Sequence, residues 1–122
     1  VGVNQEQVRE SGREVATIRV EMADVDRAVL DDATEGFVKI HYRRGSDRIV
    51  GATIVAARAG ELISGISVAM HAGAGLSTLS RSIHPYPTRG EVLRRAGDGW
   101  NRTRLSPRLK RVFDAWLRWQ RR

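Results

Sequence analysis

A chain of 122 residues, 41% hydrophobic and 29% charged, has the size and composition of one globular domain, which excludes fibrous, collagen-like and disordered classes. With no cysteine, it can hold no disulfide framework, thiolate metal site or redox dithiol of its own. The net charge of +7 suggests nucleic acid until it is mapped: residues 1–99 hold 13 basic and 13 acidic groups, whereas residues 100–122 hold eight basic groups (Arg102, Arg104, Arg108, Lys110, Arg111, Arg118, Arg121, Arg122) against the single acid Asp114, so the basicity belongs to a tail.

Residues 4–13 are polar and compatible with a helix. Ile18, Val20 and Met22 then alternate along Val15–Met22, the period of two expected of a half-buried strand. Asp24 is placed to cap a short helix carrying Val25, Ala28, Val29 and Leu30, and Asp31-Asp32 with Thr34 and Gly36 reads as a turn. Two β-branched and aromatic runs, Phe37–Tyr42 and Arg48–Val55, flank Arg43-Arg44-Gly45-Ser46-Asp47 and predict a hairpin.

Leu62, Ile63, Ile66, Ala69 and Met70 fall on one face of a helix over Glu61–His71, with Gly73 placed to end it. A second short helix is expected over Ser77–Ser82. His84-Pro85-Tyr86-Pro87-Thr88 must be extended, because proline disfavours helical geometry in the residue before it. Thr88 can cap a helix that begins near Arg89 and includes Val92, Leu93 and Ala96. A tail helix from about Ser106, with Pro107 at its first position, repeats Leu105, Leu109, Val112, Phe113, Trp116 and Leu117 at intervals of three and four. Strands paired early and helices clustered late predict an α+β fold with an antiparallel sheet, divided as a domain over 1–99 and a basic amphipathic tail over 100–122.

No apolar run approaches the ~18 residues a bilayer span requires. Val1-Gly2-Val3-Asn4 carries neither a starting Met nor a signal-peptide pattern, so the chain reads as cytoplasmic and as starting within a longer protein.

His41, His71 and His84 show no metal-ligand spacing. Gly73-Ala74-Gly75 follows a helix and lacks the third glycine and the Lys-Ser or Lys-Thr of a phosphate loop, and reads as a helix end and turn. The segment His84–Glu91 presents polar and aromatic side chains on a peptide stiffened by two prolines, which suits a site. Thr88 and Glu91 also have the spacing of a capping box, which would explain them without any function. From the residues alone, both readings stand.

Glu35-Gly36-Phe37-Val38-Lys39-Ile40, Asp47-Arg48-Ile49-Val50-Gly51-Ala52, Gly60-Glu61-Leu62-Ile63, Ala72-Gly73-Ala74-Gly75-Leu76-Ser77 and Ile83-His84-Pro85-Tyr86-Pro87-Thr88 through Glu91 occur in an order that resembles the C-terminal dimerisation domain of the class I pyridine nucleotide-disulfide oxidoreductases. That group contains dihydrolipoamide dehydrogenase, glutathione reductase and mercuric reductase. The resemblance covers about residues 1–99, with Val1-Gly2-Val3 similar to the point just after the family's first dimerisation-domain strand. It implies a homodimer that buries the face of the Glu61–His71 helix and neighbouring strands, an isologous arrangement. It also implies FAD and NAD(P)H for the parent protein, held by domains absent from this chain. Alone, the chain is expected to bind no FAD and catalyse nothing.

In that family a His-Pro-Thr-x-x-Glu segment supplies an acid-base dyad to the partner subunit's active site. Pro87, Thr88 and Glu91 match this pattern, which puts Tyr86 in the acid-base position, with His84 nearby. Aligning His84 there instead leaves Tyr86 where Thr belongs and Arg89 where Glu belongs. A phenol near pKa ~10 is a poor proton acceptor at neutral pH, whereas imidazole near ~6.5 is a good one. Tyrosine here resembles the mercuric reductase branch, in which hydride passes from NADPH through FAD to a metal-ligating cysteine pair and the tyrosine lies near the metal ion. The resemblance therefore implies roles for Tyr86, Glu91 and His84.

Two other readings rest on the tail. One is a nucleic-acid module using its arginines with Trp100, Trp116 and Trp119 as stacking groups. Against it, residues outside the tail are neutral and Trp116 falls on the apolar stripe. The other lays residues 105–122 on a membrane surface, in competition with packing of the same stripe on the domain or on a partner subunit.

Overall fold

The computed structural model describes residues 1–105 and 107–120. Its elements are α1 (Gln5–Glu10), β1 (Val15–Glu21), α2 (Asp26–Leu30), β2 (Phe37–Arg43), β3 (Ile49–Val55), α3 (Ala59–His71), α4 (Leu76–Arg81), α5 (Glu91–Thr103) and α6 (Pro107–Gln120). The expected start of the tail helix at Ser106 lies outside the described residues, as do Arg121 and Arg122.

The three strands form one antiparallel sheet in the order β1-β2-β3. Ile18, Ile40 and Ala52 align across it, as do Val20, Val38 and Ile54, so the alternation in each strand adds up to one apolar face. Val38 and Ile40 are fully buried there. The other face carries Arg19, Lys39 and Thr53 in register, with the Arg19 guanidinium 4.0 Å from the centre of the Phe37 ring. Residues 1–3 run antiparallel along the outer edge of β3, where Val3 donates to the Val50 carbonyl at 3.0 Å and Ala52 to that of Val1 at 2.8 Å. This stretch, expected just after a strand, thus pairs with the sheet.

α3 packs on β3, α5 crosses β1 and β2, and α4 packs on α5, giving a sheet layer and a helix layer around one core: an α+β fold. Leu62, Ile66 and Ala69 of α3 are buried, at the spacing the sequence predicts. Gly73, at φ +70°, lies just beyond the end of that helix. Gly97 lets α4 and α5 approach closely, since a Cβ there would sit 2.5 Å from the Leu76 carbonyl oxygen and 2.6 Å from the Ser80 nitrogen.

The cap expected at Asp24 is not formed. Met22–Asp24 make a tight helical turn, α2 begins two residues later, and Val25 occupies the cap position without a side-chain cap. Burial decides this start: Met22 is 1% exposed and Val25 and Ala28 are fully buried, so the chain turns to seat them. His41 is also fully buried, with Nδ1 2.8 Å from the Thr17 hydroxyl. Burial holds its pKa below the usual histidine range.

α5 runs past residue 99 to Thr103, and Trp100 lies in the core at 7% exposure, with the Arg104 guanidinium 4.8 Å from its ring. Trp100 is therefore not available as a stacking group. Trp100→Ala should destabilise the fold by about 3–5 kcal/mol, whereas Trp116→Ala, on half-exposed α6, should change stability by less than about 0.5 kcal/mol. Urea denaturation of the two variants makes the comparison.

Candidate functional site

The segment between α4 and α5 is held by side chains from three directions. His84 Nε2 donates to the Leu79 carbonyl at 3.0 Å, tying the start of the segment to α4. Thr88 Oγ1 donates to the Pro85 carbonyl at 2.6 Å, closing a loop around Tyr86-Pro87, whose peptide bond is cis. Arg89 then anchors the far side: its guanidinium donates to the Ala57 carbonyl at 3.2 Å and to Asp31 Oδ2 at 3.0 Å.

Tyr86 sits at the tip, 68% exposed, yet its phenol is fixed by donation to Asp26 Oδ2 at 2.6 Å. The Asp26 carboxylate, by accepting that hydrogen bond and by its negative charge, raises the phenol above its ordinary pKa of 10.0. Tyr86 therefore stays protonated at neutral pH and acts as a donor. Asp31 is held below the ordinary carboxylate range by hydrogen bonds from Arg27 first and Arg89 second. Because that folded-state pKa is depressed, the anchor is intact above the usual aspartate range and is lost as pH falls through the lowered value.

The capping box for which Thr88 and Glu91 have the spacing is not formed. Gly90 is the cap residue of α5, without a side-chain bond, and the Thr88 hydroxyl turns back to Pro85. Glu91 is 4% exposed, and its Oε1 accepts from Arg94 at 3.0 Å and lies 3.5 Å from an Arg95 nitrogen. Its Oε2 is buried without a partner in the structure. The demands of the loop and of the two arginines on the same helix outweigh the local capping geometry.

Of the three residues singled out in the sequence, Tyr86 and His84 lie on one segment, each bonded elsewhere, and Glu91 is turned into its own helix. Among the described residues no hydrogen bond joins Tyr86 to Glu91 or to His84. Asp26, Asp31 and the anchoring role of Arg89 were not visible in the sequence, because the partners are 60 and 58 residues apart and nothing in one sequence marks such a pairing.

A flavin or nicotinamide dinucleotide needs a glycine-rich turn from a strand into a helix. Gly73-Ala74-Gly75 instead joins α3 to α4, and the Asp47 carboxylate lies 2.3 Å from where a Cβ on Gly75 would sit, so the space beside this turn is already filled by an anion. This turn does not fit a dinucleotide. Among the described residues no group of three or more His, Asp or Glu is arranged to hold a metal ion, and no helix is long and apolar enough to cross a membrane.

A three-stranded antiparallel sheet backed by helices, with a braced polar segment entering the last helix of the body, defines an α+β module that presents a loop. Residues 1–96 match the family model of the pyridine nucleotide-disulphide oxidoreductase dimerisation domain. The chain belongs to this family. It is 35% identical over 96 residues to the mitochondrial dihydrolipoyl dehydrogenase of Sus scrofa and 34% identical to that of Homo sapiens, in each case over 79% of this chain and 19% of the relative. It superposes with a TM-score of 0.74 on LpdA from Mycobacterium tuberculosis, at 30% identity over 80% of this chain and 21% of that one. The same score is reached with the Cu(II) complex of the HOCl-induced flavoprotein disulfide reductase RclA from Escherichia coli, at 28% identity over 80% of this chain and 22% of that one. The chain thus spans about a fifth of the length of the relatives it matches.

Asp26→Asn should lower the pKa of the Tyr86 phenol toward ~10. The chain has two tyrosines, so an ultraviolet titration in a Tyr42→Phe background reads Tyr86 alone. An unchanged titration would show that the carboxylate does not hold the phenol.

Proposed function

We propose that this chain is the dimerisation domain of a larger FAD-dependent NAD(P)H oxidoreductase, and that its 84–91 segment enters the active site of the partner subunit. Tyr86 enters it as a neutral phenol whose one O–H is given to Asp26, leaving the phenol oxygen as an acceptor toward the site, Glu91 braces the helix behind it, and His84 holds the segment to α4. The supporting observation is the Tyr86 phenol itself: exposed at the tip of a braced loop, yet aimed by a 2.6 Å bond to Asp26. The flavin and nicotinamide sites belong, in this reading, to the rest of the parent enzyme.

A protonated phenol at this position cannot serve as the general base of dithiol-disulfide exchange near neutrality. That favours a mercuric reductase-like enzyme whose electron acceptor is a metal ion, with the tyrosine beside it. The similarity to a flavoprotein disulfide reductase solved as a Cu(II) complex supports the same direction. Homodimer formation is supported by family membership and by apolar side chains left exposed, among them Val68 on α3 and Ile83 beside His84.

In the parent enzyme, Tyr86→Phe should lower turnover about tenfold or more, a barrier increase of ~1.4 kcal/mol or more, while reduction of the enzyme by NAD(P)H stays normal. Rapid-mixing measurements that leave both half-reactions unchanged would reduce the segment to a helix-entry loop. Sedimentation equilibrium of the chain at tens of micromolar should report a dimer, and a clean monomer would contradict that part of the proposal.

A further inference from the structure

α6 is 14 residues long. Val112, Phe113, Trp116, Leu117 and Trp119 fall within one broad arc of it at helical spacing. Lys110, Asp114 and Arg118 recur at intervals of four on the opposite side, with Arg111 beside them. A turn at Arg104 separates the helix from α5, and Val112, Phe113, Trp116 and Trp119 remain 50–75% exposed. The domain therefore does not cover this stripe.

Charge narrows the choice of what does. Asp114 is the only acid in residues 100–122, which hold eight basic groups. A second copy of α6 would set two basic helices side by side, at a like-charge cost. A protein partner would have to carry an acidic rim that matches these basic groups. An anionic lipid surface gains from the same arrangement, because headgroups attract the basic side chains while tryptophan, phenylalanine and leucine enter the acyl boundary. At about 21 Å, the helix is too short for a ~30 Å hydrocarbon core, so it would lie in the plane of the surface.

We propose that α6 docks the protein on anionic membrane surfaces, with Trp116, Phe113 and Val112 inserted and Lys110, Arg111 and Arg118 at the headgroups. This inference is independent of the role assigned to Tyr86. The test is co-sedimentation of the full chain with phosphatidylcholine vesicles and with mixed phosphatidylcholine–phosphatidylglycerol vesicles, followed also by tryptophan emission. Trp100 is already buried, so a blue shift reports Trp116 and Trp119.

Binding to the anionic vesicles should be about tenfold or more tighter than to the neutral ones and should weaken as salt rises. Val112→Asp with Trp116→Asp should abolish binding and the blue shift. Both positions are exposed, and an unchanged urea midpoint confirms that the fold is kept. Lys110→Glu with Arg111→Glu and Arg118→Glu should remove the preference for anionic lipid. Three results would overturn the proposal: failure of the full chain to bind anionic vesicles, binding that survives both sets of substitutions, or a Trp116→Asp change that dissociates a dimer in a chain indifferent to vesicles, which would assign the stripe to a second copy.

Discussion

Two carboxylates, one at the start of a five-residue helix and one just beyond its end, aim the 84–91 segment. Asp26 and Asp31, at the start and just beyond the end of α2, receive the Tyr86 hydroxyl and the Arg89 guanidinium. A helix of this length has no stability of its own. It exists because Val25 and Ala28 are fully buried against the core and because the preceding turn is held by hydrogen bonds from Met22 to the Gly36 carbonyl and from Val25 to that of Met22. Apolar burial thus sets the position of α2, and α2 sets the aim of the phenol. The bonds themselves are exposed and individually modest, so their effect is direction more than stability.

A second chain of constraints runs through Asp47 at the end of the β2–β3 turn. Its carboxylate accepts from the Ser77 backbone at 3.1 Å and from the Ser77 hydroxyl, and the hydrogen bond from that hydroxyl is the main cause holding it below the usual aspartate range. The Asp47 carbonyl accepts from Leu76 at 2.9 Å. A residue thirty positions away thus satisfies donors that α4 leaves open at its start. α4 in turn supplies the carbonyl that holds His84 and packs on α5. The hairpin, α4 and the candidate segment form one connected unit, and the close approach at Gly97 holds its helices together.

The sheet, its antiparallel order and the core face of α3 were legible in the sequence, because each follows from a local period: Ile18 and Val20 on one side of β1, Leu62, Ile66 and Ala69 along α3. Caps were less legible. Asp24 and the Thr88–Glu91 pair have the right residue types, yet burial of Val25 displaces the first, and the turn of the Thr88 hydroxyl to Pro85 displaces the second. Tyr86 was singled out through the resemblance of Pro87, Thr88 and Glu91 to the family pattern, whereas Asp26 and Asp31 were beyond reach because only the folded core brings α2 beside the segment. Trp100 and Trp116 show the same limit, since both occur in a basic tail and only packing separates a core residue from an exposed one.

The central claim is that α2 preorganises the segment that carries Tyr86, and backbone order parameters of Tyr86, Thr88 and Arg89 test it most directly. In the wild-type chain they should be near 0.85, and in the Asp26→Asn, Asp31→Asn double variant they should fall below about 0.6 while those of the sheet stay unchanged. Low values in the wild type, or values that the double variant leaves unaltered, would contradict the account.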